Sequence, residues 1–281
     1  MENRIIHTTH ITAYTHHLQE AERSPGTIEK YLRDIHTFAA FADGQPVDKS
    51  LLAAWKEQLV SQEYAPKTIN SMLAAVHGFL DFMEWESCKV KYLKVQRRIF
   101  RETERELTRA DYDKLVVTAE ERGKHRLALL FETICATGIR VSEVQYITVE
   151  AARRGEAQIT LKGKIRSIII PNKLCRKLLK YAKKQKIASG EIFLTRSGKG
   201  LTRRQIWAEM KAMCKYAGVD ATKVFPHNLR HLFARVFYKS CKDIVRLADV
   251  LGHSSIETTR IYLITTVSEY TRQMERLGLV S

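Results

Sequence analysis

The sequence predicts a two-domain, mainly α-helical protein with a small antiparallel β-sheet (α+β). Three observations predict it. The first ninety residues repeat apolar positions at three- and four-residue spacing, residues 93–106 break that period with a basic run, and one short β-favouring pair interrupts later helical segments. The boundaries follow: a helical domain over 1–92, a basic linker over 93–106 and a second domain over 107–281.

A first helix is expected from about His10 to Ala21. Thr27 to Ala42 then places Ile28, Tyr31, Leu32, Ile35, Phe38 and Ala42 on one face. Asp48 to Gln62 does so with Leu51, Leu52, Trp55 and Leu59, and a helix starting near Pro66 with Ile69, Met72, Leu73, Val76, Phe79, Leu80 and Met83. These four amphipathic helices make a small bundle. Two starts resemble each other, Ser24-Pro25-Gly26-Thr27-Ile28 and Ala65-Pro66-Lys67-Thr68-Ile69. Proline suits a first turn, where free amides can meet phosphate, so Thr27, Lys67 and Thr68 are candidate DNA-backbone contacts.

Beyond the linker, Thr108-Arg109-Ala110-Asp111 is a capping-box variant opening a helix to about Glu121. Another helix runs from His125 to Thr137, stopped by Gly138. Ala157–Leu161 and Ser167–Ile170 read as strands of a hairpin whose tip, Lys162-Gly163-Lys164-Ile165-Arg166, is basic. Asn172 to Ile187 is a basic helix, Glu191 to Thr195 a short strand, Thr202 to Ala217 a helix, and Val267 to Leu277 a last helix.

The net charge is +16, and from Arg153 to Lys215 eighteen Lys and Arg face three acids, a net of +15 in that one block. Such concentration points to a phosphate-backbone partner. No run approaches the ~18 apolar residues of a membrane span. The N-terminus lacks a signal-peptide core, so the chain is expected in the cytoplasm, with no membrane partner. Five scattered cysteines without a Cys-x-x-Cys read as reduced thiols.

The chemistry centres on Pro226 to Tyr262. His227 and Arg230 share a helix face, Leu251-Gly252-His253 brings a second histidine, and Tyr262 lies nine residues further on. Arg140 follows the helix stop at Gly138, with Glu143 three residues beyond. Two arginines suit a phosphodiester, because each guanidinium donates paired hydrogen bonds and keeps its charge. Lys162 at a hairpin tip can follow a leaving oxygen and protonate it. Tyrosine becomes a nucleophile where cations and a histidine acceptor draw off its proton. A metal on His227 and His231 is disfavoured, since Arg230 would repel the cation, which leaves His231 a supporting role beside the site.

These segments resemble the tyrosine recombinase (phage integrase) family. The matches are Ala136-Thr137-Gly138-Ile139-Arg140-Val141-Ser142-Glu143, Pro226-His227-Asn228-Leu229-Arg230-His231 and Leu251-Gly252-His253-Ser254 with Tyr262, in the family's order. The resemblance implies a core-binding helical domain ahead of a catalytic domain, clamping double-stranded DNA between them. It implies site-specific recombination in which Tyr262 attacks the scissile phosphate, leaving a 3′-phosphotyrosine and a 5′-hydroxyl. Arg140, His227 and Arg230 would hold the phosphate, with His227 also a candidate base. Lys162 would be the general acid, His253 would bond the phosphate, and Glu143 would orient its neighbours. Lys164 and Arg166 would contact DNA from the hairpin.

The resemblance further implies a homotetramer working through a Holliday junction, no metal and no cofactor, and a C-terminal tail docking on a neighbouring protomer. The hairpin is a residue shorter than the common Lys-Gly-x-Lys-x-Arg tip, so Lys164 stands as the alternative acid. No separate arm-binding domain precedes the bundle, which is more like Xer-type members. The alternatives are a type IB-like topoisomerase and a DNA-binding regulator without catalysis.

Overall fold

In a computed structural model the described residues are 4–95, 106–161, 164–263, 271–272 and 274–278, with backbone only for 160, 161, 164 and 165. The chain divides into two compact units, Met1–Arg97 and Arg98–Ser281.

In the first unit, four helices follow the apolar period. They are α1 (Thr8–Glu20), α2 (Pro25–Ala42), α3 (Lys49–Ser61) and α4 (Pro66–Phe82). Phe38, Leu52, Trp55, Leu73, Val76 and Leu80 form the main core, and Tyr14, Ile35 and Phe79 a second cluster. Each such side chain contributes about 1.5–3 kcal/mol when fully buried. Pro25 and Pro66 stand in the first turns of α2 and α4. Their N-termini leave Lys67 and Thr68 exposed, whereas Thr27 is half-buried and shares a hydrogen bond with Ser24, Oγ to Oγ1 at 2.8 Å.

The second unit opens with α5 (Arg109–Glu121). Its capping box is reciprocal: Thr108 Oγ1 accepts from Asp111 N and Asp111 Oδ2 from Thr108 N, both at 3.1 Å. After α6 (His125–Thr137) come a 3₁₀ turn (Val141–Tyr146) and α7 (Val149–Arg154), neither expected from the period. Strands β1 (Glu156–Leu161) and β2 (Lys164–Ile169) pair antiparallel with Leu161 opposite Lys164. Pairing thus runs further toward the tip than expected, because the alternation continues through Lys164-Ile165-Arg166. Lys162 and Gly163, between the strands, lie outside the described residues.

The helices α8 (Asn172–Lys184), α9 (Arg203–Ala217), α10 (Pro226–Cys241), α11 (Ile244–Leu251) and α12 (Ile256–Arg260) complete the unit. The expected strand over 191–195 is instead two isolated bridges, Thr148 with Glu191 and Leu194 with Gly200. It is held at its ends without a ladder. Lys242, with φ +52°, closes α10, and Asp243 caps α11 by accepting from Val245 N and Arg246 N. The large core gathers Leu130, Phe131, Ile134, Leu178, Ile206 and Leu229, while Ala234, Leu247, Leu251 and Tyr262 form a smaller cluster. All five cysteines are free. No described helix is long and apolar enough to cross a membrane. The linker over 93–106 falls mostly outside the described residues, as do 267–270 and 273 of the helix expected over 267–277.

Candidate active site

Two helix ends build the site. α6 stops because Gly138 turns left-handed, φ +64°, and a Cβ there would meet Phe233 Cδ1 at 2.4 Å. α11 stops the same way at Gly252, φ +62°, where a Cβ would meet Arg166 Cδ. The last carbonyls of a helix lack partners within it and carry the negative end of its dipole. Here guanidiniums take them up. Val250 O accepts from Arg166 Nη2 at 2.8 Å, Leu251 O from Arg230 Nη2 at 2.7 Å, and Gly252 O from Arg140 Nη2 at 3.3 Å. Gly138 O accepts from Arg230 Nη1.

Arg140 caps the 3₁₀ turn that follows α6, and Glu143 answers it. The Glu143 carboxylate accepts from Arg140 N at 2.7 Å and from Arg140 Nη1 at 2.8 Å. Arg166 Nη1 reaches both oxygens of the same carboxylate, at 2.8 and 2.9 Å. Glu143 is 1 % exposed, and these two guanidiniums are its ion-pair partners. This corrects the expectation that Arg166 contacts DNA from the hairpin tip. It lies well down β2, opposite Ile159, and its side chain turns inward to Glu143 and the end of α11. Burial lowers the Arg166 and Arg230 pKa values, against Glu143 and Tyr262 respectively, yet arginine stays protonated at any working pH.

The face of α10 carries His227, Arg230 and His231 at i, i+3 and i+4. Arg230 is 1 % exposed. Besides the two carbonyls, its Nη2 donates to His253 Nε2 at 2.9 Å and its Nε to Tyr262 Oη at 3.4 Å. His253 Nδ1 is 2.8 Å from Thr259 Oγ1. Burial, reinforced by Arg230, Arg140 and Arg166, lowers the His253 pKa to about 4, so the ring is neutral at pH 7. Tyr262 is buried, its ring between His231, 4.2 Å away, and His253, 5.5 Å away and stacked, with His227 edge-on at 5.6 Å. It is therefore a core aromatic as well as a reactive candidate.

A cavity of about 370 Å³ opens beside these groups, lined by Arg140, Ser142, Arg203, Trp207, His227 and Arg230 among others. Tyr262 does not line it; its hydroxyl sits at the Nε edge of Arg230, which does. Arg140, Glu143, His227, Arg230, His231, His253 and Tyr262 thus come together, as their sequence pattern predicted. Lys162 lies outside the described residues, and of Lys164 only the backbone is described. Thr27, Lys67 and Thr68 belong to the other unit.

Trp207 and Thr259 were missed. Trp207 had a signal, since it falls out of phase with Ile206, Met210 and Met213 and is 50 % exposed. Thr259 had none, because a buried threonine against a histidine is visible only after folding. Arg140 and Arg166 pair with Glu143, and Arg230 beside them has no carboxylate partner among the described residues, so the three arginines and one glutamate sum to +2.

Two family descriptions match the chain: "Phage integrase family" over residues 105–269 and "Phage integrase, N-terminal SAM-like domain" over residues 11–87. Tyrosine recombinase XerD of Xanthomonas campestris pv. campestris is 28% identical over 85% of this chain and 81% of its own length. Tyrosine recombinase XerA of Pyrococcus furiosus is 30% identical, and the match spans 62% of each protein. Among solved structures, a lambda integrase (75-356) dimer bound to a COC' core site superposes with a TM-score of 0.73 at 17% identity, covering 92% of this chain and 95% of that one. XerH site-specific recombinase in a post-cleavage complex with a difH substrate gives a TM-score of 0.70 at 19% identity, covering 90% and 79%.

Proposed function

Since this chain belongs to the phage integrase family, we propose that it is a site-specific DNA recombinase that cuts and rejoins strands through a 3′-phosphotyrosine on Tyr262. The observation that carries this reading is Arg230 held against the hydroxyl of a buried tyrosine, beside Arg140 and Arg166 paired on the Glu143 carboxylate. A phosphodiester brings one negative charge and gains a second as the pentacovalent transition state forms. Three guanidiniums and the Glu143 carboxylate, net charge +2, are already in place to meet that demand.

In this mechanism the scissile phosphate occupies the cavity, with its non-bridging oxygens on Arg140, the remaining Nη1 N–H of Arg230 and His227. The Tyr262 phenol moves from its ring stack into the cavity. Its oxygen forms the P–O bond, its proton passes to His227, and Arg230 meets the charge on Oη as that proton leaves. The P–O5′ bond breaks, and Lys162 gives the leaving oxygen its proton. Attack by the 5′-hydroxyl of another strand reverses these steps. The covalent link conserves the ester's energy, so rejoining requires no nucleotide cofactor. His253, with both ring nitrogens engaged, holds Arg230 and stacks on Tyr262 until the phosphate arrives.

The rest of the reading is a cytoplasmic homotetramer on two sites of double-stranded DNA, exchanging strands through a Holliday junction. Residues 1–92 bind DNA through the first turns at Thr27, Lys67 and Thr68, joined by the 93–106 linker to a catalytic domain over 107–281. The deciding experiment is trapping on a nicked suicide duplex carrying the chain's own recombination site. The intact protein should form a covalent adduct, and Tyr262→Phe should bind that site yet form none. An adduct with the Phe variant would refute the nucleophile. Site binding without any adduct from the intact protein would favour a regulator, and robust relaxation of plasmid lacking the site a topoisomerase.

A further inference from the structure

The basic block does not all serve the catalytic cavity. α8 buries Leu174, Cys175, Leu178 and Ala182 and exposes Lys173, Arg176, Lys177, Lys180, Lys183 and Lys184, with no acidic residue in the helix. At 100° per residue, Lys173, Arg176, Lys177, Lys180 and Lys184 share a strip roughly 100° wide and about 16 Å long. Like charges three and four residues apart repel and weaken a helix. Of the strip, Lys177 alone has an ion pair among the described residues, with Glu132 at 2.5 Å. Glu120 and Glu132 line the same recess as Lys177, Lys180 and Lys184, yet the five cations outnumber them, as expected of a surface completed by an anionic partner.

The strip is separate from the catalytic centre. None of its residues lines the cavity holding Arg140 and Arg230. α8 runs back along α6, with Lys177 at Glu132 in mid-helix and Lys180 and Lys184 beside His125 at the first residue. The catalytic end of α6, at Gly138, is therefore about 20 Å from the far end of the strip.

We propose that α8 is a second DNA-backbone site, which holds duplex outside the segment cleaved at Tyr262. Duplex DNA carries a charge per ~3.4 Å on each strand, so a strip about 16 Å long faces four or five phosphates of the nearer strand. Its side chains suit backbone and not bases: most are lysines, point charges on flexible stems, without the amides or aromatics that read base edges. The strip also lacks the apolar anchors that dominate protein–protein interfaces, which disfavours an acidic protein partner. The inference rests on DNA as the partner and is independent of the Tyr262 chemistry.

The test is binding of the full chain to a fluorescent duplex lacking any recombination site, titrated at several salt concentrations, against the variant K173Q/R176Q/K180Q/K184Q. Lys177 is kept so that its pair with Glu132 survives, and circular dichroism and Tm establish that the variant folds. The plot of log K against log salt should be shallower by about 3 to 4, with affinity at 0.1 M salt lower by roughly a hundredfold or more. The Tyr262 adduct on a short duplex without flanks should be unchanged. A folded variant with an unaltered slope and affinity would overturn the proposal, leaving α8 a solvated face. A variant that keeps its DNA slope but loses binding to polyglutamate would overturn it too, in favour of an acidic protein. An intact protein that forms no adduct would sink the recombinase reading alone, since the salt slope does not depend on cleavage.

Discussion

Arg230 Nη2 and His253 Nε2 meet at 2.9 Å, and this contact sets the state of the imidazole. A guanidinium only donates, so Nε2 accepts and the ring proton sits on Nδ1, where it donates to Thr259 Oγ1 at 2.8 Å. A protonated His253 would turn a second donor toward Arg230. The histidine beside Tyr262 is therefore locked neutral by a cation, and Thr259 Oγ1 accepts its one N–H.

That lock makes stability acid-sensitive. The His253 pKa is lowered from 6.5 to about 4 in the folded chain, so between those values the unfolded chain binds the extra proton. The contribution is complete above pH 6.5 and is lost as pH falls toward 4. Urea midpoints at pH 7.5, 5.5 and 4.5 should decline through this window, and His253→Gln should flatten that part of the decline. An equal slope in both proteins would show that other groups carry it.

Glu143 balances two guanidiniums, and its removal should be felt as a charge and not as a cavity. Glu143→Gln should lower stability by roughly 3 kcal/mol, because the largely buried Arg166 guanidinium then has no carboxylate and the exposed Arg140 loses its anchor. In a denaturation cycle with Arg166→Met the two changes should couple by about 1–3 kcal/mol. Additive losses would mean that the pair acts independently.

The two left-handed glycines Gly252 and Gly218 separate backbone strain from crowding. Gly218→Ala, with φ +61° and nothing within 4 Å of the new Cβ, should lose about 1 kcal/mol. Gly252→Ala drives the Cβ into Arg166 and should lose roughly 2–4 kcal/mol and reduce adduct formation, since Arg166 holds Glu143. Matching losses in thermal melts would remove Arg166 from the account.

The general acid is open to a ranking. Lys162→Ala should slow cleavage more than Lys164→Ala, and a substrate with a 5′-phosphorothiolate leaving group, which departs without a proton, should rescue the variant lacking the acid. Rescue of Lys164→Ala instead would move the role along the hairpin.

Much of this was legible before folding. The apolar period marked α2, α3 and α4, Thr108 and Asp111 marked a helix start, and Gly138 marked a helix stop. These signals are local, so a short window of sequence contains their physics. The extended basic tip was misjudged because a strand's register depends on its partner, and the segment at 191–195 because a β-favouring run becomes a strand only where a ladder exists to join.

By itself, then, the sequence singled out the candidate residues and placed some of them: Arg140 past a glycine stop, His227 and Arg230 on one helix face, His253 after a second glycine. Only the tertiary structure decided how four charges coexist there. Arg230 lies 92 residues from the carbonyl of Gly138, Arg140 lies 112 from that of Gly252, and Arg166 reaches back 23 to Glu143. Such partners are brought within hydrogen-bond reach by packing, and no periodicity encodes them. The same packing turns Arg166 from a DNA contact into a support and leaves α8's cations facing outward.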